Sequence, residues 1–135
     1  MALKPFEVRA LEELDKAFAT VAREKVDALI VLGQPLMFIH RERVAKLALE
    51  HRMHAIAIWG EAVEAGVLMS YGPRSIDELR RLPYYIDRVL KGAKPADLSV
   101  EQYSTFYLSI NLKTAKAIGL TIPQSVRVRA DQVIE

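Results

Sequence analysis

The sequence predicts an α/β fold: a mostly parallel sheet flanked by helices. Two observations carry that prediction. Short apolar runs alternate along the chain with amphipathic stretches of helical period, the pattern of strand–helix–strand units. One run, Ala28-Leu29-Ile30-Val31-Leu32, is apolar without alternation and stops at Gly33. An unbroken run of this kind reads as a strand covered by helices on both faces.

Each element has its own local reason. Phe6-Glu7-Val8-Arg9 alternates apolar and charged residues, as a short first strand would. Over residues 10–25, Leu11, Leu14, Phe18 and Val21 recur at helical spacing, with Glu12, Glu13, Asp15 and Lys16 on the opposite side. The strand at 28–32 follows. Gln34-Pro35 then reads as a loop, because proline pushes the residue before it out of helix. A second helix is expected over about residues 38–52. Val44, Leu47, Ala48 and His51 form its inner stripe, and Arg41, Glu42, Lys46 and Glu50 face water. Residues 54–59 read as a strand, 60–65 as a helical turn stopped by Gly66, and 67–71 as a further strand closed by Gly72-Pro73.

Ser75-Ile76-Asp77-Glu78 has the spacing of a capping box and predicts a helix start, with Ser75 as the cap. Ile76, Leu79, Leu82, Ile86 and Val89 carry that helix's apolar stripe, and Gly92 ends it. Pro83 falls inside it. An interior proline costs about 3 kcal/mol and kinks a helix, so a bend is expected near residues 80–82. Lys94-Pro95-Ala96-Asp97 reads as a linker and 106–110 as a strand. Asn111 is placed to cap a short helix over 112–118, ended by Gly119. Pro123 suits the first turn of a last helix, and residues 132–135 read as a frayed or short extended end. The expected organisation is an α/β lobe over residues 1–92. A cross-back segment over 93–135 would pack on the lobe or on a partner chain.

Composition bounds the function. The 135 residues fit one domain, and 51% of them are apolar, enough for a globular core. Nineteen Lys and Arg against seventeen Asp and Glu leave a net charge of +2, too balanced for a nucleic-acid binder. The absence of cysteine excludes a disulfide framework, a thiolate metal site and a cysteine nucleophile. The longest apolar run falls far short of a spanning helix, and residues 1–5 show no export signal, so the chain reads as soluble as it stands.

No phosphate loop or nucleophile elbow is present. His51 and His54 are three residues apart, but the second begins a strand, so the pair should diverge rather than bind metal. Ser70 has no evident base, and the carboxylate clusters lie on a solvated helix face or at a cap. The expectation is a protein with no catalysis, no metal and no cofactor. A positional argument does mark a site. In open α/β sheets, ligands bind beyond the carboxyl ends of the strands. The candidate contacts there are Gln34, Pro35 and Leu36 after the first apolar run, Trp59 and Gly60 after the second, and Ser70 and Tyr71 at the third. Gln34 offers a donor and an acceptor, or else satisfies its own loop. Trp59 is a ligand wall, or else a core or subunit-contact residue.

Four blocks, residues 23–36, 65–73, 86–98 and 110–123, stand in order along the chain, and Leu68-Met69-Ser70-Tyr71-Gly72 and Asn111-Leu112-Lys113-Thr114-Ala115-Lys116 within them are the most specific. With these blocks the sequence resembles the ABC transporter substrate-binding protein family of the tryptophan/tyrosine-transport type, and specifically its C-terminal portion. The resemblance implies one lobe of a type I periplasmic-binding-protein-like fold. It also implies an extracytoplasmic location, a small solute such as an aromatic amino acid, and an ABC permease as partner. Many similar proteins have an acidic residue where this chain has Gln34. A lobe without its opposite jaw leaves apolar surface exposed, which predicts a homodimer, with exchanged terminal segments as one form of it. The alternative is a stand-alone dimerising or sensory module that carries no solute.

Overall fold

The computed structural model describes residues 2–102 and 104–135. A single turn of 3-10 helix, Leu11–Glu13, leads into α1 (Leu14–Arg23). The chain then runs through β1 (Leu29–Val31), α2 (Pro35–Ile39), α3 (Arg41–Glu50), β2 (Ala55–Ala57), α4 (Glu61–Glu64) and β3 (Met69–Gly72). It continues through α5 (Ser75–Leu90), β4 (Tyr107–Asn111), α6 (Leu112–Ile118), α7 (Gln124–Arg127) and β5 (Gln132–Ile134). The five strands lie side by side in sequence order. β1–β2, β2–β3 and β4–β5 pair parallel, and β3–β4 pairs antiparallel. The sheet is therefore mostly parallel, as expected.

The core lies on one face of this sheet. Leu14, Phe18 and Val21 of α1 meet Val44, Leu47 and Ala48 of α3 over Val31, Ala55 and Ala57. The small alanines of β2 let the helices sit close to the strand. The opposite face is bare, which corrects the reading of residues 28–32 as a strand covered on both sides. Ile30 is 55% exposed, and Ile58 and Tyr71 also stand open. The apolar run is real, but this chain supplies helices to one side of it only.

The structure differs from the sequence reading at several element ends. Residues 6–9 form no strand, because a strand needs a ladder partner and none runs beside them. Phe6 and Val8 pack against the core instead. Pro35 is not in a loop but opens α2, where its missing N–H costs nothing, and Gln34 is the extended N-cap before it. The helix expected over 38–52 is two helices, broken at His40 (φ −101°, ψ 27°). Arg74, not Ser75, holds the N-cap of α5, and the Glu78 half of the expected capping box lies outside the described side chains. α5 continues through Pro83 as one helix. Residues 132–134 are a paired strand, started by Asp131, whose carboxylate accepts from the Leu108 N–H at 2.8 Å.

The cap at Asn111 forms as expected, with its Oδ1 accepting from the Thr114 N–H at 3.0 Å. Its Nδ2 also donates to the Val63 carbonyl at 3.1 Å, and the Thr114 hydroxyl donates to the Gly66 carbonyl at 2.8 Å. These buried bonds fasten the start of α6 to the end of α4. Gly119 closes α6 with φ 80°, a conformation that favours glycine, and the Leu120 N–H reaches back to the Ala115 carbonyl.

Candidate functional site

The carboxyl ends of β1, β2 and β3 point the same way, and the antiparallel β4 begins at that same end. The turns leaving the three parallel strands surround an open concavity of about 460 Å³, within the size range of small-molecule sites. Gly33, Gln34 and Pro35 come from the first turn, Ile58 and Trp59 from the second, and Pro73 and Ser75 from the third. Phe38 and Ile39 of α2 complete the wall. Close approach of the turns depends on glycine. A Cβ on Gly72 would drive into the Ile58 carbonyl, and one on Gly33 would strike the Ile58 side chain.

Of the expected contacts, Gln34, Pro35 and Trp59 border the cavity and Leu36, Gly60, Ser70 and Tyr71 do not. Alternation along β3 separates the last two. Ser70 points to the helical side, 1% exposed, beside Ser109 of β4. Tyr71 points to the bare face, where its ring stacks on Phe106 at 5.5 Å. Gly60 is the N-cap of α4 and packs near the Ser109 hydroxyl. Trp59 is only 6% exposed and belongs to the core, so little of its ring is open at the cavity. The more open aromatic surface there is Phe38, whose ring centre lies 5.9 Å from that of Trp59.

Phe38, Ile39, Ile58, Pro73 and Ser75 are the wall residues that sequence reasoning missed. Phe38 and Ile39 looked like the start of a long helix. Only the break at His40 turns them into a short segment over the strand tips. None of the nine lining side chains is ionisable. The Trp59 indole N–H is buried with no hydrogen-bond acceptor among the described residues. Beside the cavity, the Arg74 guanidinium lies 3.8 Å from the centre of the Tyr107 ring.

Among the described residues no group of three or more His, Asp or Glu gathers as a metal site would require. His51 ends α3, and the His54 ring bonds the Asp27 carbonyl at 3.0 Å, so the two diverge.

A family model for the ABC transporter substrate binding protein matches residues 1–134. The chain belongs to the ABC transporter substrate-binding protein family. An ABC domain from Streptococcus pneumonia, solved in complex with L-Trp, superposes with a TM-score of 0.86 at 32% identity, over 96% of this chain and 43% of that one. A conserved domain protein from Vibrio cholerae shares the fold with a TM-score of 0.83 at 24% identity, over 90% of this chain and 41% of that one. A ligand-free, open substrate-binding protein with adhesive properties from Clostridium difficile does so with a TM-score of 0.64 at 21% identity, over 94% and 42%. This ABC substrate-binding chain therefore spans less than half the length of the solved structures it matches. No curated protein sequence matches it. The fold is that of a periplasmic-binding-protein-like domain. No helix among the described residues is long and apolar enough to cross a membrane.

Proposed function

We propose that this chain forms one wall of a solute-binding cleft in an ABC-type uptake system. It takes a small aromatic solute without chemistry and presents it to a permease. The observation that carries this reading is the concavity at the strand tips, walled by Phe38, Ile58 and Trp59 and free of ionisable side chains. Such a wall suits a flat apolar group, with Gln34 and Ser75 left to orient its polar end. The L-Trp bound by the pneumococcal domain supports the aromatic class. Gln34, Pro35, Leu36, Trp59, Gly60, Ser70 and Tyr71 remain the proposed ligand-side residues. Gln34, Pro35 and Trp59 would touch the solute, and the others would support the turns. The lobe over 1–92 and the cross-back segment over 93–135 are proposed as the two units of the chain, the second packing on the first through the pairing of β4 with β3.

Trp59 is the only tryptophan, so its fluorescence tests the proposal. Titration with aromatic amino acids and their des-amino acids should give a saturable shift with at least one of them. A flat response to the whole panel overturns the reading.

A second reading, a dimerising module without a transported solute, is favoured by one observation. Ile76, Leu79, Leu82, Ile86 and Leu90 of α5 are all exposed, and so is the apolar sheet face. The proposal therefore includes a homodimer, with exchange of the terminal segments as the form that would cover both surfaces.

A further inference from the structure

α5 carries an unpartnered apolar face, and the charges beside that face say what would cover it. Ile76, Leu79, Pro83, Ile86 and Leu90 recur at helical spacing along one side of this sixteen-residue helix, and all five are exposed. Leu82 and Val89, also exposed, widen the row on one flank. The far side of the helix is occupied. Arg81 is paired with Glu101 there, and the Tyr85 hydroxyl donates to the Ser99 carbonyl at 3.1 Å.

The flank opposite Leu82 and Val89 is charged. Asp77, Arg80, Asp87 and Lys91 follow one another along it with alternating sign. Asp77 lies 3.9 Å from Arg80 and Asp87 lies 2.9 Å from Lys91, and all four side chains are exposed. Exposed pairs of this kind hold little energy, so the same charges remain able to meet others. Read from its other end, the flank has the opposite order of signs. A second α5 laid antiparallel and crossing near Pro83 therefore sets Arg80 of each copy against Asp87 of the other, and Asp77 toward Lys91. The same crossing sets Ile76 toward Leu90 and Leu79 toward Ile86, so the apolar rows match as well. A parallel pair lays the charged flank against Leu82 and Val89 and leaves the charges without counterparts.

We infer that α5 is the contact surface for a second copy of this chain, docked antiparallel and held in register by two Arg80–Asp87 pairs related by the twofold axis. This rests on the homodimer proposed above and names its face, orientation and register.

Sedimentation of the full chain at micromolar concentration tests it, with the fold of each variant checked by circular dichroism. The wild type should be a dimer. Arg80→Glu sets two carboxylates against each other at both contacts, and Asp87→Lys sets two cations against each other. Each variant alone should dimerise about tenfold more weakly than the wild type. Mixed in equal amounts, the two variants should recover the wild-type affinity, because a heterodimer places an acid against a base at both contacts. Variants that dimerise as tightly as the wild type, or a mixture no tighter than either variant alone, overturn this inference and leave a homodimer through another surface standing. A wild-type monomer removes the homodimer reading, and the inference with it.

Discussion

Gly72 lies where the third turn crosses the second, and the Ile58 carbonyl occupies the space its side chain would need. The obstacle is backbone, which cannot swing away as a flexible side chain would. Gly72→Ala should therefore destabilise the protein by about 1–3 kcal/mol and open the cavity wall. Urea denaturation reads the first effect, and loss of ligand-induced Trp59 fluorescence change reads the second. Asn111 makes a different kind of contribution. It caps α6 and also satisfies the Val63 carbonyl from 48 residues away. Asn111→Ala removes the cap and one of two donors to the Val63 carbonyl, which keeps the Gly66 N–H at 3.1 Å, so a loss of about 1 kcal/mol is expected in the same denaturation assay. The cap was legible in the sequence, because asparagine before a helix-forming run has a local use. The bond to Val63 was not, because nothing near Asn111 in the chain announces it.

Among the elements, α5 stands apart. It is amphipathic, yet its apolar stripe faces water. It is tied to the following segment by the Arg81–Glu101 ion pair and by the Tyr85 hydroxyl, which donates to the Ser99 carbonyl at 3.1 Å. The Arg81 guanidinium, hydrogen-bonded to the Glu101 carboxylate, holds that carboxyl below its usual range. A carboxyl with a depressed folded-state pKa adds stability above the ordinary carboxylate range, and that stability is lost as pH falls through the folded value. Acidification should therefore loosen residues 98–101 from α5 before the core melts. Amide exchange measured across the acid range should show that order, and simultaneous loss of protection in both regions would contradict it. Pro83 sits in the middle of the same helix, where proline is unfavourable. Pro83→Ala should raise the helical circular dichroism signal and slow amide exchange around residue 83. The helix's existence was legible from its stripe. Its start was not, because Ser75 and Arg74 are adjacent and the geometry of the turn leaving β3 decided between them.

For the whole molecule, the uneven covering of the sheet matters most. Helices α1, α3 and α4 gather on one face, while Ile30, Ile58, Tyr71 and Phe106 stand open on the other. Apolar surface on both the sheet and α5 is more than a monomer comfortably exposes. Light scattering at micromolar concentration should report a dimer. Leu79→Glu with Leu82→Glu should shift it toward monomer while the Trp59 environment stays native. A monodisperse wild-type monomer would sink the association proposal and leave the cavity unaffected.

The sequence by itself determined the class of the sheet and most of the helices and strands in their order, because hydrophobic period, glycine stops and helix caps act within a few residues. It also located the end of the sheet that carries the concavity, through the turns at Gln34 and Trp59. Tertiary structure alone decided which side chains meet there. Adjacent residues of a strand face opposite ways, so Ser70 went to the core and Tyr71 to the bare face. The break at His40 brought Phe38 over the tips. It also decided that residues 6–9 stay unpaired and that 132–134 pair, since a strand exists only where another backbone lies beside it to share hydrogen bonds.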